Sequence, residues 1–152
     1  MKTLPRLLYK TNKLLWRITK PTTIGVKLIL DREDYALLVK HTYQPDWYLP
    51  GGGVKRGETL EEAARREAAE ELGATLGELT LFGVYTNICE QKTDHIIVFS
   101  CTDFTITGKK DWEIEGHDFF GFENMPPDVS PGTRRRMQEY VSGCKPPVVG
   151  LW

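Results

Sequence analysis

The chain has 152 residues, of which 40% are hydrophobic and 27% are charged, and its formal net charge is −1. These values are typical of one globular domain with its own core, and they exclude a general electrostatic attraction to nucleic acids or anionic membranes. The sequence has no apolar run long enough to span a membrane and no N-terminal pattern of a secretory signal.

Residues 1–20 predict a basic amphipathic helix that stands apart from the rest of the chain. The segment contains six lysines and arginines and no acid, and its apolar residues recur at helical spacing: Leu4, Leu7, Leu8, Leu14, Leu15 and Ile18. Pro5 suits a first helical turn, and Pro21 ends the pattern. We expect the apolar stripe to pack on the domain, and the alternatives are contact with an acidic membrane, with RNA or with a second copy of the chain.

Beyond Pro21 the sequence predicts strands and two further helices. The predicted strands are Thr23–Leu30, Tyr35–Lys40, Trp47–Leu49, Thr80–Thr86, His95–Cys101 and His117–Phe122. A helix is predicted over Leu60–Leu72, and a C-terminal helix begins at Ser130 as N-cap and ends before Gly143. This order predicts an α+β fold, with residues 21–145 as a single domain and residues 146–152 as a C-terminal tail.

The most informative segment is LPGGGVKRGETLEEAARREAAEELGA, from Leu49 to Ala74. The consecutive glycines at 51–53 allow the backbone to approach a ligand closely, because no Cβ intervenes. Thr59 and Glu62 form a capping-box pattern that starts a helix, and Gly73 is a natural stop. The segment therefore predicts a glycine loop that leads directly into a helix.

Three acids of this helix share one surface. Glu67 precedes Glu70 by three residues and Glu71 by four, and like charges at these spacings destabilise an isolated helix. A hard divalent cation would reverse that effect, and Mg²⁺ is typically shared between carboxylates and substrate phosphates. The alternative interpretation is a solvated helix face with ion pairs, such as those predicted between Glu62, Arg66 and Glu70.

The same segment resembles the Nudix box, G-x5-E-x7-R-E-U-x-E-E-x-G-U, in which U is a bulky aliphatic residue. Every fixed position is matched, by Gly52, Glu58, Arg66, Glu67, Glu70, Glu71 and Gly73, whereas the U positions hold the smaller Ala68 and Ala74. The resemblance implies the Nudix fold, a mixed β-sheet between helices in an α/β/α arrangement. It also implies Mg²⁺- or Mn²⁺-dependent hydrolysis of a nucleoside diphosphate linked to another moiety.

The resemblance further implies roles for individual residues. Glu70 and Glu71 are expected to be the principal metal ligands, with Glu67 as a ligand, a water-orienting group or the base. The Gly51 carbonyl is expected to be a backbone ligand. Arg66 is expected to fix the glutamates, and Glu58 to pair with Arg66 or to touch the metal, while Gly52 and Gly73 shape the loop and the helix end.

The general base and the substrate contacts are less constrained by the sequence. Glu113 and Glu115 are both candidates for a catalytic glutamate outside the box, and an ordinary acidic loop is the alternative for each. The candidate substrate contacts are Lys55 and Arg56 in the glycine loop, Asp94 and His95 before a strand, and Trp47 with its neighbour Tyr48 for stacking on a base.

The expected substrate is a small nucleotide-like molecule: a nucleoside triphosphate, a nucleotide sugar or ADP-ribose. The alternatives are an RNA 5′-end pyrophosphohydrolase, which only the basic N-terminal segment favours, and a non-catalytic nucleotide sensor, which the intact box disfavours. No stable nucleic-acid partner is expected, and a homodimer is compatible with the apolar segments at the two ends. Three cysteines without a CxxC pair, Cys89, Cys101 and Cys144, argue against disulfides and structural zinc and favour a cytoplasmic location.

Overall fold

The structure, a computed structural model, describes residues 20–89, 91–108 and 112–152. The predicted N-terminal helix lies outside the described residues except for Lys20. The strands are β1 Thr22–Arg32, β2 Tyr35–His41, β3 Trp47–Tyr48, β4 Ala74–Leu76, β5 Thr80–Cys89, β6 Lys92–Cys101, β7 Phe104–Ile106, β8 Ile114–Gly121 and β9 Val148–Leu151. The described helices are α1 Leu60–Leu72 and α2 Pro131–Val141.

One mixed sheet forms the centre of the fold. Its strand order is β3-β2-β1-β6-β5-β9, and β8 also pairs with β2. The central pair β1 and β6 is parallel from Thr22 beside Thr93 to Leu30 beside Cys101, whereas β5 and β6 are antiparallel. A separate two-stranded sheet joins β4 to β7.

The core lies on both faces of the main sheet. On one face Val26, Leu28 and Leu30 of β1 pack with the alanines of α1, and on the other face Ile29 packs in the cluster that contains Met137 of α2. The alternation along β1 is the period of two that a strand imposes on its side chains. The predicted α+β fold, with a mixed sheet between helices, is therefore confirmed.

Helix α1 has the boundaries that its sequence predicts. The Thr59 hydroxyl accepts a hydrogen bond from the Glu62 amide, and the Glu62 carboxylate accepts one from the Thr59 amide, which completes the capping box. Gly73 ends the helix in the left-handed conformation at φ 60°, where its lack of a Cβ removes the steric strain. These local signals fix the helix that carries the box acids.

Strands β4, β7 and β9 were not predicted, and β6 begins at Lys92 instead of His95. The segment 146–152, predicted as a tail, contributes β9, which pairs in parallel with β5 and lies at the sheet edge. Its pairing depends on a distant strand and on contacts with α2, so local sequence signals do not reveal it. None of the described helices is long and apolar enough to cross a membrane.

Candidate active site

The glycine loop lies against the first half of β1. Backbone amides of Leu28 and Val26 donate to the carbonyls of Pro50 and Gly52 at 2.9 Å, and the Val54 amide donates to the Ile24 carbonyl at 3.0 Å. Gly51 has a φ of +124°, and a Cβ there would lie 2.3 Å from the Val26 carbonyl oxygen. Only glycine therefore fits between the strand and the helix that follows the loop.

Glu71 joins the helix to this loop from a buried position. Its Oε2 accepts a hydrogen bond of 2.8 Å from the Gly51 amide, and only 7% of the residue is exposed. Burial raises the pKa of the Glu71 carboxyl to about 7, although the charge of Lys27 and the Gly51 amide act in the opposite direction. A buried carboxylate of this kind is stabilised by a nearby cation.

Glu67 lies directly over Gly52. A Cβ at Gly52 would lie 2.7 Å from Glu67 Oε1, so the carboxylate occupies the space that a side chain would need. The same Oε1 accepts a hydrogen bond of 2.7 Å from Arg66 Nη1. The glycine at this box position thus makes room for an acid of the following helix.

Arg66 forms hydrogen bonds with the other box acids, Glu58 and Glu70, as well as with Glu67. Its Nε and Nη2 donate to the two carboxylate oxygens of Glu58 at 2.5 and 2.9 Å. Its Nη1 donates to Glu70 Oε2 at 3.2 Å, and its Nη2 also donates to the Gly53 carbonyl at 3.0 Å. The hydrogen bond with Arg66 is the main reason that the pKa of the Glu58 carboxyl falls to about 2. Arg66 is therefore a fixed counter-ion for three glutamates, Glu58, Glu67 and Glu70.

The donor set suits a hard cation in an open site. Among the described residues, no group of three His, Cys, Asp or Glu side chains is arranged so that it could hold a metal ion on its own. Mg²⁺ keeps several waters and needs only one or two protein carboxylates, so a closed cage is not required. Glu70 is 44% exposed and Glu71 is buried beside the loop, and oxygen atoms of this kind are the ligands that Mg²⁺ prefers.

A cavity of about 350 Å³ adjoins the glycine loop. Its lining includes Gly52 and Gly53 of the loop, Thr23 and Lys27 of β1, and Asp94 of β6. Asp94 also forms an ion pair of 2.9 Å with Lys92 and accepts a hydrogen bond from the Thr23 hydroxyl. The cavity is therefore polar at one end and lies next to the loop that contacts the carboxylates.

The candidate substrate residues do not all meet at this cavity. His95 follows Asp94 on the strand and so points to the opposite face, where its Nδ1 lies 3.2 Å from the Thr86 hydroxyl oxygen. Trp47 packs against Phe120 with ring centroids 4.9 Å apart and belongs to the core on the α2 side. Neither residue lines the cavity.

The two loop cations and Tyr48 also lie outside the cavity lining. Lys55 and Arg56 are exposed. Lys55 Nζ lies 3.6 Å from Glu70 Oε1, so Lys55 forms an ion pair with one of the box carboxylates. Tyr48 packs on the α1 side of the core, and its ring centroid lies 5.8 Å from that of His41.

Glu113 and Glu115 differ in their relation to the carboxylates. The charge of Glu113 contributes to the raised pKa of Glu71, which indicates that Glu113 lies on the same side of the molecule. Glu115 stands on β8, next to Gly116, which pairs with Lys40.

Sequence reasoning missed Lys27, Thr23 and Lys92. Lys27 Nζ donates to the carbonyls of Leu49 and Gly51 at 3.0 and 2.7 Å. Burial lowers the pKa of Lys27, and the charges of Glu71 and Glu67 oppose that change. A lone lysine within the apolar strand pattern of β1 was the available signal, because lysine is rarely buried without a partner.

Comparisons with known proteins identify the family of the chain. The model of the NUDIX domain family matches residues 19–140. The chain is 32% identical over 124 residues to a putative 8-oxo-dGTP diphosphatase of Bacillus subtilis, and the aligned region covers 78% of each chain. It is 29% identical over 126 residues to an ADP-ribose pyrophosphatase of Methanocaldococcus jannaschii, and this alignment covers 80% of this chain and 75% of that protein.

The fold is similarly shared with solved structures. The MutT NUDIX hydrolase from Burkholderia pseudomallei superposes with a TM-score of 0.72 at 26% identity, over 78% of this chain and 97% of that one. A MutT protein from Methanosarcina mazei has a TM-score of 0.71 at 24% identity and covers 82% of this chain and 96% of its own. The chain belongs to the Nudix family and is a pyrophosphohydrolase of that family.

Proposed function

We propose that the chain hydrolyses a phosphoanhydride bond in a nucleoside diphosphate derivative, with Mg²⁺ or Mn²⁺ as cofactor. A nucleoside triphosphate, a nucleotide sugar and ADP-ribose are the candidate substrates. The observation that carries the proposal is the cluster in which Arg66 binds Glu58, Glu67 and Glu70 beside the glycine loop. By their names, the relatives from Bacillus subtilis and Methanocaldococcus jannaschii act on 8-oxo-dGTP and ADP-ribose, which supports this substrate class.

We assign metal binding to the carboxylates of Glu67, Glu70 and Glu71 and to the carbonyl of Gly51. A divalent ion bound there supplies charge neutralisation at the phosphates and acidifies a bound water. Arg66 acts as a positioning residue, because it holds Glu67 and Glu70 through one nitrogen and is itself held by Glu58. The Gly51 amide holds Glu71 in the same way from the loop.

We place the general base at Glu113 and keep Glu115 as the second candidate. A base has to take a proton from the attacking water, and it therefore has to lie on the side of the carboxylates. The electrostatic effect of Glu113 on Glu71 supports that placement. Glu67 is the remaining carboxylate that could accept the proton, and a Glu113→Gln variant separates the two assignments by its effect on turnover.

We place the nucleoside end of the substrate in the cavity beside the glycine loop. Its apolar lining includes Ile24 and Ile96, which suit the face of a base, and Asp94 supplies acceptors for ribose hydroxyl groups. Lys55 and Arg56 stand on the exposed side of the loop, where they can meet the distal phosphate. Phosphoryl transfer depends chiefly on such positioning and on electrostatic stabilisation.

The test is an assay of a substrate panel with the metal ion varied. Nucleoside triphosphates including 8-oxo-dGTP, nucleotide sugars, ADP-ribose and a 5′-triphosphorylated RNA are incubated with Mg²⁺, with Mn²⁺ or with excess EDTA. We expect turnover of one small-molecule class, and loss of turnover in EDTA and in Glu70→Gln. Full activity in EDTA overturns the metal assignment, and preference for RNA overturns the substrate class. Hydrolysis in heavy-oxygen water followed by product mass identifies the phosphorus that is attacked.

A further inference from the structure

Lys27 is a partly buried charged residue that lies between two fully buried residues of β1. Its neighbours on β1, Val26 and Leu28, have no exposed surface. Its ammonium donates hydrogen bonds to the carbonyls of Leu49 and Gly51, at 3.0 and 2.7 Å. Two of the three N–H groups of the ammonium thus hold the glycine loop to the strand.

The same ammonium lies between the two halves of the site. Glu67 and Glu71 are near enough for their charges to act on it. Lys27 also lines the cavity, together with Gly52, Gly53 and Asp94. The Lys27 ammonium is therefore close both to the carboxylates and to the space in which we place the substrate.

Two cations would compete for the Gly51 carbonyl oxygen. Lys27 Nζ already binds it at 2.7 Å, and the proposed function assigns it to a divalent ion. An ammonium and a divalent ion that shared this oxygen atom would repel each other in this partly buried site. Metal binding at this carbonyl would therefore disfavour the observed position of the ammonium.

We propose that Lys27 is an internal cation that occupies the Gly51 carbonyl before the metal binds, and that metal binding turns its ammonium toward the substrate phosphate that is attached to the nucleoside in the adjoining cavity. The inference rests on the proposed function. Lysine suits the task because its charge is compact and its four-carbon stem is flexible. Lys27 then exchanges one set of oxygen partners for another and is not left unpaired.

This arrangement couples the two binding events. The metal alone has to displace the ammonium, which weakens its binding. The phosphate attached to the bound nucleoside attracts the displaced ammonium, so metal and substrate each strengthen the binding of the other by the same factor. Without the cation at position 27, the metal should bind more tightly on its own and should gain less from the substrate.

The experiment measures Mn²⁺ binding by isothermal titration calorimetry, with and without α,β-methylene-ADP as a non-hydrolysable probe. We expect Lys27→Met to bind Mn²⁺ alone about tenfold more tightly than the wild type, since a nearby positive charge has been removed. We also expect the probe to tighten Mn²⁺ binding in the wild type and to have little effect in Lys27→Met. Lys27→Arg should retain the coupling, because its charge remains.

Lys145→Met is the matched control, because it removes the same charge from an exposed position after α2. Its Mn²⁺ affinity should equal that of the wild type. If Lys27→Met does not fold, as judged by thermal melting, Lys27→Gln replaces it, since glutamine keeps a donor for the carbonyl without the charge. Unchanged or weaker Mn²⁺ binding by the neutral variant overturns the proposal.

The two proposals fail in different ways. A wild type that binds Mn²⁺ and hydrolyses a nucleotide, with a neutral variant whose affinity does not rise, contradicts the role of Lys27 alone. A wild type that binds no Mn²⁺ and hydrolyses no member of the panel contradicts both.

Discussion

The Arg66 guanidinium binds the Glu58 carboxylate through two parallel hydrogen bonds, Nε to Oε1 at 2.5 Å and Nη2 to Oε2 at 2.9 Å. This bidentate pair joins the end of the glycine loop to the second turn of α1. It leaves Nη1 to bind Glu67 and Glu70. Only a planar guanidinium offers donors in this fork, so the pair fixes the direction in which the other two acids point.

Arg66→Lys should therefore lower kcat while the fold persists. Lysine keeps the charge but cannot hold Glu58, Glu67 and Glu70 together, and loss of such a positioning contact typically costs about 10- to 100-fold in activity. The control is Arg65→Lys on the same helix, because Arg65 donates to the Leu76 and Gly77 carbonyls and binds none of the three acids. Steady-state kinetics and thermal melting distinguish the two variants. Wild-type kcat in Arg66→Lys would contradict the positioning role.

Gly52→Ala should disturb Glu67 without unfolding the protein. The added Cβ would lie 2.7 to 2.8 Å from the Glu67 carboxylate, and the end of this flexible side chain can move away. We expect a large fall in kcat and a change in unfolding free energy of about 1 kcal/mol or less. Gly121→Ala is the control, since its nearest neighbour would be a Tyr35 ring carbon at 3.7 Å. Equal kcat in both variants would show that the position of Glu67 does not matter for turnover.

The chain near α1 was predictable because its signals are local. The capping box of Thr59 and Glu62, the stop at Gly73 and the spacing of the acids all lie within a few residues of the structures that they determine. Helix α1 was accordingly predicted with its correct boundaries.

The features that the sequence did not predict depend on distant partners. Strand β9 forms because β5 offers it an edge and because Arg136 donates to the Leu151 carbonyl at 2.9 Å. The Lys27 ammonium is held at a partly buried position by the carbonyls of Leu49 and Gly51. Such contacts join segments far apart in the chain, so neither periodicity nor a short motif contains them.

Glu71→Gln should abolish Mn²⁺ binding and raise the stability of the metal-free protein above neutral pH. Burial raises the pKa of the Glu71 carboxyl to about 7, so the native state disfavours its charged form, which a neutral amide avoids. Calorimetric titration and urea unfolding measure the two effects. Glu61→Gln on the exposed side of α1 is the control and should change neither. Retained Mn²⁺ affinity in Glu71→Gln would remove Glu71 from the metal ligands.

His41 should make the protein less stable in mild acid. The residue is 6% exposed, and burial, with a smaller contribution from the Lys27 charge, lowers the pKa of its imidazole from 6.5 to about 4. Below pH 6.5 the His41 imidazole is protonated in the unfolded chain, whereas in the folded protein it stays neutral until the pH falls to about 4. Stability from this group is therefore complete above pH 6.5 and is lost as the pH falls toward 4, by about 3 kcal/mol in total.

Urea unfolding of the wild type and of His41→Gln at several pH values tests this expectation. Other groups titrate in the same range, so the informative quantity is the difference between the two proteins. That difference should shrink as the pH falls, because glutamine does not titrate. A difference that is independent of pH between 7 and 4 would mean that the His41 imidazole accepts its proton equally well in the folded and unfolded states.

Trp152 should stabilise the fold without affecting turnover. Its indole ring lies with Tyr85 and the buried Arg136 guanidinium, at centroid distances of 6.0 and 5.4 Å, where it closes the core behind β9. Trp152→Ala should lower the free energy of unfolding by about 2 kcal/mol, since it exposes Tyr85 and Arg136 to water. Val149→Ala on the preceding strand, β9, is the control, because Val149 is 82% exposed and should change stability by about 0.5 kcal/mol or less. The box acids project from α1 on the other side of the sheet, whereas Ile96 of the cavity lining belongs to the same cluster as Trp152. We therefore expect kcat to be unchanged in both variants, and any effect on the site to appear in KM. A fall in kcat in folded Trp152→Ala would instead mean that the edge strand is coupled to the site through β5 and β6.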